Sequence, residues 1–303
     1  MTKKKIIIDT DIGDDIDDAY ALSLACVMPE VEILGVVTVF KNVATRCKMA
    51  KMMLSLGGKA EVPVYQGLSH ALAQTILYGK PIDFEAQLWS YTENCENYAE
   101  EFKNGIEFYI NTLEQAQEPI TIVTIGAMTN LAYVLRERPD LVAKIDKVLI
   151  MGGAYETNYA EYNFSCDPEA AELIMRADVD KVAVGLDVTW KSFLNEDDLE
   201  KLKNVGHPLT EQLLSFLSPT QKVVYLHDPL TLYYLVEPEL FEFRRDLIHV
   251  ETTGKFTRGM VAKMDNCNWN LDSKDSRFVY AVKCDARKFI DVFVERLCAL
   301  ANQ

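Results

Sequence analysis

Short runs of β-branched residues alternate with helical patterns through the first two-thirds of this 303-residue chain. The alternation is typical of βαβ units, in which helices pack on a mainly parallel sheet. The runs predict strands at residues 5–8, 32–39, 120–125, 147–151 and 182–186. Between them, the patterns predict helices at residues 17–27, 44–56, 99–116, 129–136 and 168–176. We therefore expect an α/β fold with a Rossmann-like, mainly parallel central sheet flanked by helices.

The remaining third of the chain continues this organisation without a visible boundary. Residues 194–236 are mainly helical in pattern, residues 241–263 and 278–282 are extended, and residues 286–300 form an amphipathic pattern. Neither a Pro/Gly/Ser linker nor an internal repeat is seen in the sequence, so a single domain over residues 1–303 is the simplest prediction. Residues 67–95 show weak periodicity, and a loop of that length is usually functional.

Charge and composition exclude several classes of partner. The formal net charge is −15 without a compensating basic stripe, which disfavours binding to nucleic acid or to anionic membranes. The seven cysteines are scattered and show no C-x-x-C spacing, which indicates reduced thiols. The basic N-terminus lacks the apolar segment of a signal peptide, and no apolar run reaches transmembrane length. We expect a cytoplasmic protein with no membrane partner.

The strongest local signal is a cluster of carboxylates directly after the first predicted strand. Six aspartates fall within ten residues, at Asp9, Asp11, Asp14, Asp15, Asp17 and Asp18. In a parallel α/β sheet the carboxyl ends of the strands form the ligand crevice. Crowded carboxylates repel one another and raise each other's proton affinity unless a cation neutralises them. Oxygen ligands without nearby Cys or paired His favour a hard divalent cation, Ca²⁺ or Mg²⁺.

A purely structural interpretation accounts for only part of this cluster. Asp17 and Asp18 suit a helix N-terminus, where the macrodipole favours acidic side chains. That interpretation leaves the four earlier aspartates unexplained, and crowded titratable groups mark functional sites. An EF-hand is excluded because the twelfth residue counted from Asp9 is Tyr20 and not Glu.

Three further segments carry weaker signals. His227 and Asp228 precede a proline, which fits either a general acid beside a metal ligand or an ordinary helix cap. Gly152 and Gly153 end a predicted strand and allow close approach to a ligand, or an ordinary turn. Downstream of them, Glu161 and Asn163 could bind sugar hydroxyls. Asn42 and Thr129 also lie at the predicted ligand edge of the sheet.

Taken in order, these motifs resemble the inosine–uridine-preferring nucleoside hydrolase family. They are DTDIG at 9–13, DDAYAL at 17–22, Asn42, GAMTN at 126–130, MGG at 151–153, EYN at 161–163 and HDP at 227–229. The likeness extends to TGKFTRGM at 253–260 and to the C-terminal helix, so it covers nearly the whole chain. It implies a fold of the nucleoside hydrolase type and hydrolysis of the N-glycosidic bond of ribonucleosides to ribose and free base, as in purine or pyrimidine salvage.

The resemblance also implies a cofactor, which in that family is one Ca²⁺ per subunit. The implied ligands are the carboxylates of Asp11, Asp18 and Asp228 and the main-chain carbonyl of Thr129. The chain has two residues more than the family's shorter Asp-x-Asp-x-Gly-x-Asp-Asp-Ala pattern. Anchoring the match on Asp17–Ala19 gives the set above, whereas anchoring it on Gly13 makes Asp14 or Asp15 the ligand.

The same resemblance assigns catalytic and substrate-binding roles. Asp11 would be the general base that takes a proton from Ca²⁺-bound water, the nucleophile, and His227 would protonate the departing base. Matches to substrate-binding positions are Asp17, Asn42, Met151, Asn158, Glu161 and Asn163. The family also implies a homodimer or homotetramer. Base-contacting residues are expected in residues 67–95 and in the segment before His227.

Two alternative functions remain open at the level of sequence. One is a Mg²⁺-dependent phosphatase that uses Asp9 of an Asp-x-Asp loop as its nucleophile, although the lysine and late acidic pair that this chemistry needs are not evident. The other is a non-catalytic nucleoside-binding protein that keeps the metal pocket. Retention of both Asp11 and His227 favours catalysis.

Overall fold

A computed structural model describes residues 3–264 and 276–302 of the chain. Its strands are β1 (Lys4–Thr10), β2 (Val31–Thr38), β3 (Val64–Gln66), β4 (Ile76–Leu77), β5 (Lys80–Pro81), β6 (Lys103–Asn104), β7 (Ile120–Thr124), β8 (Ile145–Met151), β9 (Asp180–Val184), β10 (Phe193–Leu194), β11 (Val224–Tyr225), β12 (Phe241–Arg245), β13 (Ile248–Val250), β14 (Val261–Lys263) and β15 (Phe278–Cys284). Its α-helices are α1 (Asp17–Cys26), α2 (Val43–Leu56), α3 (Gly105–Gln115), α4 (Thr129–Glu137), α5 (Tyr162–Cys166), α6 (Pro168–Arg176), α7 (Leu186–Thr189), α8 (Glu196–Lys203), α9 (Pro208–Ser215), α10 (His227–Tyr233) and α11 (Ala286–Cys298).

Nine strands form one central sheet in the order β12-β15-β9-β8-β7-β1-β2-β3-β6. Neighbouring strands in it are parallel except β12, which pairs antiparallel with β15 at one edge. The predicted fold class, a mainly parallel sheet flanked by helices, is confirmed. Among the described residues, none of the helices combines the length and apolarity that crossing a bilayer requires.

Strand β1 lies near the middle of the sheet and is buried on both faces. Ile6 and Ile8 pack into the core on one side of the sheet, and Ile7 packs into the core on the other. A continuous run of β-branched residues is what a doubly covered parallel strand requires. This burial fixes the position and direction of β1, and therefore of the aspartate loop that follows it.

Two predicted elements differ from the observed ones. The predicted helix 99–116 begins only at Gly105, because residues 103–104 pair with β3 as the edge strand β6. The Asn104 side chain then caps α3 by accepting hydrogen bonds from the amides of Ile106 and Glu107. The weakly periodic segment 67–95 contains the β4–β5 hairpin, whose turn residues Tyr78 and Gly79 both have positive φ, as a tight hairpin turn demands.

Candidate active site

A pocket of about 180 Å³ opens at the carboxyl ends of four neighbouring strands. Asp11 follows β1, Ile125 follows β7, Met151 ends β8 and Leu186 follows β9, so adjacent strands deliver them to one edge of the sheet. The full lining is Asp11, Asp14, Asp15, Asp17, Asp18, Ile125, Met151, Tyr159, Glu161, Tyr162, Asn163, Leu186, Trp190, His227 and Asp228. A concave site lined by both polar and apolar side chains suits a small molecule.

Two glycines shape the aspartate loop. Gly13 has a φ of +112°, and a Cβ there would lie 2.7 Å from Cδ1 of Leu88. A Cβ at Gly126 would lie 2.9 Å from Oδ1 of Asp11. Only glycine at these positions leaves room for the loop to turn and for the Asp11 carboxylate to sit beside the end of β7.

Carboxylates from two distant segments meet in this pocket. Ligand oxygens of Asp15, Asp17 and Asp18 lie within 4.8 Å of one another. The backbone amide of Asp228, in the first turn of α10, donates a hydrogen bond to Oδ2 of Asp17 at 3.2 Å. The Thr10 hydroxyl donates to Oδ1 of Asp18. The start of α1 is therefore joined to the start of α10 by a hydrogen bond from the Asp228 backbone to the Asp17 side chain.

Burial makes these carboxylates unusually reluctant to ionise without a cation. The pKa of Asp11 is raised to about 8, mainly by burial and also by the charges of Asp14 and Asp15, although the charge of Arg46 opposes the rise. Burial also raises the pKa values of Asp18 and Asp228 well above their ordinary range, and each is raised again by the neighbouring aspartates. Hard oxygen donors that share excess negative charge are the ligand set that a divalent cation such as Ca²⁺ or Mg²⁺ prefers, so the residues fit a metal site.

We predict that the metal-free protein loses stability as pH rises from about 4 to about 8. Burial raises the pKa values of Asp9 and Asp11 to about 8, so the folded state holds protons that the unfolded chain releases near pH 4. The free energy of unfolding therefore falls with rising pH, by enough to lower Tm by roughly 5 °C or more between pH 5 and pH 8. Thermal unfolding in chelator tests this, and added Ca²⁺ should restore most of the loss at pH 8. A metal-free Tm that is constant or rises over this range would contradict it.

Asp9 lies beneath the pocket and does not line it. It is fully buried, with Oδ2 accepting a hydrogen bond from the Tyr109 hydroxyl and Oδ1 accepting one from the Asn130 amide, each at 3.0 Å. A carboxylate with both oxygens engaged in the core cannot attack a substrate. The geometry thus argues against Asp9 as the nucleophile of a phosphatase.

The wall opposite the aspartate loop carries Glu161 and Asn163. The carboxylate of Glu161 accepts hydrogen bonds from the amides of Gly153, Asn163 and Phe164 at 2.8–3.0 Å. The side-chain amide of Asn163 donates to the Met151 carbonyl at 3.1 Å. Both polar side chains are therefore held rigidly at the pocket surface, where predicted substrate-binding residues belong.

His227 lies at the pocket mouth among aromatic rings. Its Nδ1 is 2.8 Å from the Thr189 hydroxyl, and its ring stacks on Tyr225 with centroids 5.6 Å apart. Trp190 meets the His227 ring edge-on at 5.0 Å. Burial lowers the pKa of His227, and the charge of Asp15 opposes this by favouring the protonated ring.

Three predicted site residues do not reach the pocket. The Thr129 hydroxyl donates to Oδ2 of Asp167 at 2.7 Å, whereas Ile125 lines the pocket and its carbonyl accepts from Asn163 at 3.4 Å. Thr129 is thus not among the residues that line the pocket, whereas Ile125, four residues earlier, is, and the Thr129 carbonyl as a ligand stays a prediction. A backbone carbonyl carries no side-chain signal by which sequence reasoning could have located it.

The other two such residues are asparagines. Asn42 caps α2, its side chain accepting a hydrogen bond from the Thr45 amide at 3.2 Å. Asn158 is exposed, and its neighbour Tyr159 lines the pocket. The pocket also includes Tyr162 and Trp190, which sequence reasoning missed because isolated aromatic residues are more often part of the core.

Comparison with known proteins adds an independent line of evidence. A family model described as inosine-uridine preferring nucleoside hydrolase matches residues 6–291. A pyrimidine-specific ribonucleoside hydrolase, RihA of Salmonella agona (strain SL483), is 32% identical over 308 residues, which cover 96% of this chain and 97% of the relative.

Two solved structures resemble the whole fold. A plant nucleoside hydrolase has a TM-score of 0.83 with 25% identity and covers 98% of this chain and 100% of its own. A purine-preferring ribonucleoside hydrolase from Gardnerella vaginalis has a TM-score of 0.80 with 26% identity, covering 98% and 99% of the two chains. The similarity therefore spans both the aspartate loop and the distant His-Asp pair.

Proposed function

The chain belongs to the inosine-uridine preferring nucleoside hydrolase family, and we propose that it hydrolyses the N-glycosidic bond of ribonucleosides to give ribose and free base. The observation that carries the proposal is the convergence of four buried carboxylates, Asp11, Asp17, Asp18 and Asp228, in one pocket with His227 at its mouth. Such a pocket supplies a metal site, a base and an acid within one small cavity.

We propose Asp11, Asp18 and Asp228 as the carboxylate ligands of one Ca²⁺ per subunit, with Asp15 as the alternative carboxylate. The carbonyl of Ile125 is the proposed backbone ligand, with that of Thr129 as the alternative. When bound, such a cation would lower the pKa of a water molecule and bind a pair of ribose hydroxyls. The excess charge of the pocket supports this assignment, because burial and mutual repulsion leave these carboxylates in need of a positive partner.

Asp11 is proposed as the general base. Its carboxylate lies at the floor of the pocket, held beside Gly126, and accepts the proton that the attacking water must lose. A base must be ionised before it can accept a proton, and a cation among the aspartates favours the ionised form. A positioned base of this kind accelerates a reaction about 10²- to 10⁴-fold.

The pocket walls orient and stabilise the sugar. Asp17, Glu161 and Asn163 are proposed to bind ribose hydroxyls, and Met151 lies beside Asn163 on the same wall. Cleavage of the C1′–N bond leaves positive charge on the sugar ring, and fixed carboxylates around that ring stabilise it. The negative charge that destabilises the metal-free protein therefore stabilises the positively charged transition state.

His227 is proposed as the general acid for the departing base. In the imidazolium form, Nδ1–H donates to the Thr189 hydroxyl oxygen and Nε2 carries the proton that is transferred, which leaves the neutral ring. From the pocket mouth, Nε2–H can donate to a nitrogen or oxygen of the base as the bond to the sugar breaks. Thr189 then acts as a positioning residue, because it fixes the ring orientation.

An assay of ribose release from a panel of nucleosides, with and without chelator, tests the proposal. We expect release of ribose and free base that is abolished by chelator and recovered with Ca²⁺. Binding of nucleosides without turnover in the presence of Ca²⁺ would instead support a non-catalytic nucleoside-binding protein. Sedimentation of the same preparation tests the predicted homodimer or homotetramer.

The same panel should show that nucleoside 5′-monophosphates are poor substrates. Seven acidic side chains line the pocket, and the nearby cations Lys41 and Arg46 are already paired with Asp14. Among the described residues no lysine or arginine lines the pocket to receive a phosphate, so kcat/KM should fall roughly 100-fold or more relative to the nucleoside. Equal rates for inosine and its 5′-monophosphate would contradict this.

A further inference from the structure

Asp14 stands apart from the other aspartates of the loop because protein cations already neutralise it. Its Oδ1 lies 3.0 Å from Nη2 of Arg46, and its Oδ2 lies 3.1 Å from Nζ of Lys41. The Tyr162 hydroxyl donates a further hydrogen bond to Oδ2 at 2.6 Å. Burial alone would raise the pKa of Asp14, but the charges of Arg46 and Lys41 hold it below its ordinary value.

Arg46 binds the aspartate loop at several points from inside α2. Its side chain is fully buried. Nε donates to the Phe40 carbonyl at 2.7 Å, and Nη1 donates to the Ile12 carbonyl at 2.9 Å and also to the Asp11 carbonyl. The guanidinium thus binds the backbone of the loop that carries Asp11 through Nη1, and its Nη2 faces the Asp14 carboxylate.

Lys41 reaches the same carboxylate from the β2–α2 connection. It follows Phe40, and both residues have positive φ, of 56° and 63° respectively, a conformation that side-chain-bearing residues rarely adopt. The turn directs Nζ to Asp14 and to the Tyr162 hydroxyl, to which it donates at 2.7 Å. Asp14 therefore links the aspartate loop to α2, to this turn and to α5, which begins next to Glu161.

By contrast, Asp11, Asp17, Asp18 and Asp228 have no ion-pair partner within 4.0 Å in the part of the chain that the structure describes. The acidic residues of the pocket therefore fall into two groups that differ in their contacts with protein cations. Asp14 is in direct contact with two protein cations, whereas the other four carboxylates face the pocket without such a contact, although Arg46 and Lys41 also lower the pKa of Asp11.

We infer that Asp14 is the anchor of the aspartate loop and not a metal ligand, and that Arg46 and Lys41 are positioning residues that hold Asp11 in place through it. The inference rests on the proposed function for the role of Asp11. It also narrows the choice of register: in a loop two residues longer than the family's short pattern, protein cations hold Asp14, while Asp15 and Asp18 remain available to a cation.

A double-mutant cycle on the metal-free protein tests the anchor without reference to activity. Asp14→Asn and Arg46→Met should each lower Tm by roughly 5–10 °C, because each leaves a buried partner uncompensated. The double variant should lower Tm by clearly less than the sum of the decreases in the two single variants. Arg46→Lys keeps the positive charge and should therefore lower Tm less than Arg46→Met does. It can replace Arg46→Met in the cycle if that variant does not fold. Additive decreases in Tm would overturn the inference that Asp14 and Arg46 act together as the anchor of the loop.

The exposed pair Arg138 and Asp140 provides a matched control. Arg138→Met and Asp140→Asn should each change Tm by no more than about 2 °C, because exposed ion pairs contribute little.

Calorimetric titration with Ca²⁺ supplies the second readout. Asp14→Asn should keep one site, weakened by no more than about 10-fold, whereas Asp18→Asn should weaken it by roughly 100-fold or more. Equal losses in the two variants would identify Asp14 as a ligand and overturn the inference. If wild-type protein released no ribose, the proposed function would fail, but the stability cycle would still decide whether Asp14 is the anchor.

Discussion

Replacement of Asp11 by alanine is expected to lower kcat/KM for nucleosides by at least about 1000-fold. The change removes the proposed general base, which alone contributes about 10²- to 10⁴-fold, and also a proposed ligand of the cation. Steady-state ribose release measures the loss. Because Asp11 is a ligand as well as a base, calorimetric titration with Ca²⁺ should show weaker binding in the same variant.

The stability of the Asp11 variant should change in the opposite direction. In the metal-free wild type, burial raises the pKa of Asp11 to about 8, so its ionisation at higher pH destabilises the folded state. Asp11→Ala and Asp11→Asn should therefore raise Tm in chelator at pH 8. Asp197→Ala, on the exposed surface of α8, is the control and should alter neither quantity appreciably. Activity within 10-fold of wild type would exclude Asp11 as the base.

Replacement of Asp11 is thus expected to lower activity and to raise metal-free stability. These opposed effects explain why the aspartate loop gives the strongest functional signal in the sequence. A core position is constrained by size and apolarity, which many residues satisfy. A buried group of carboxylates violates the usual rules of burial, and it persists only where function requires it. The strand before the loop is also predictable from the sequence, because Ile6, Ile7 and Ile8 form the continuous apolar run of a strand that is buried on both faces of a parallel sheet.

Features that depend on contacts between distant segments could not be predicted from the sequence. The start of α3 was misplaced because residues 103–104 pair with β3, a contact between segments far apart in sequence. Arg46 lies inside an ordinary helical pattern, and nothing local shows that its guanidinium is buried against the aspartate loop. Asn42, predicted to bind substrate, caps α2 by accepting a hydrogen bond from the Thr45 amide, and its role in substrate binding stays a prediction. An asparagine after a strand fits both roles, and only the fold distinguishes them.

Replacement of His227 by alanine is expected to reduce kcat by about 10²- to 10⁴-fold for nucleosides whose base must be protonated as it leaves. The structure places this ring at the pocket mouth, with Thr189 on Nδ1 and the Tyr225 and Trp190 rings around it. KM should change much less than kcat, because the acid acts mainly in the transition state. Ribose release from inosine and uridine measures both constants.

A synthetic riboside with a good leaving group separates general acid catalysis from a structural defect. 4-Nitrophenyl riboside departs as a stable phenolate and needs no proton, so His227→Ala should retain nearly full activity on it, whereas Asp11→Ala should lose activity on both substrates. Thr189→Val, which removes only the hydroxyl that orients the ring, should resemble His227→Ala in substrate pattern with a smaller loss. If His227→Ala lost activity equally on nucleosides and on the nitrophenyl riboside, the ring would serve to shape the pocket, and the proton for the departing base would have to come from another group.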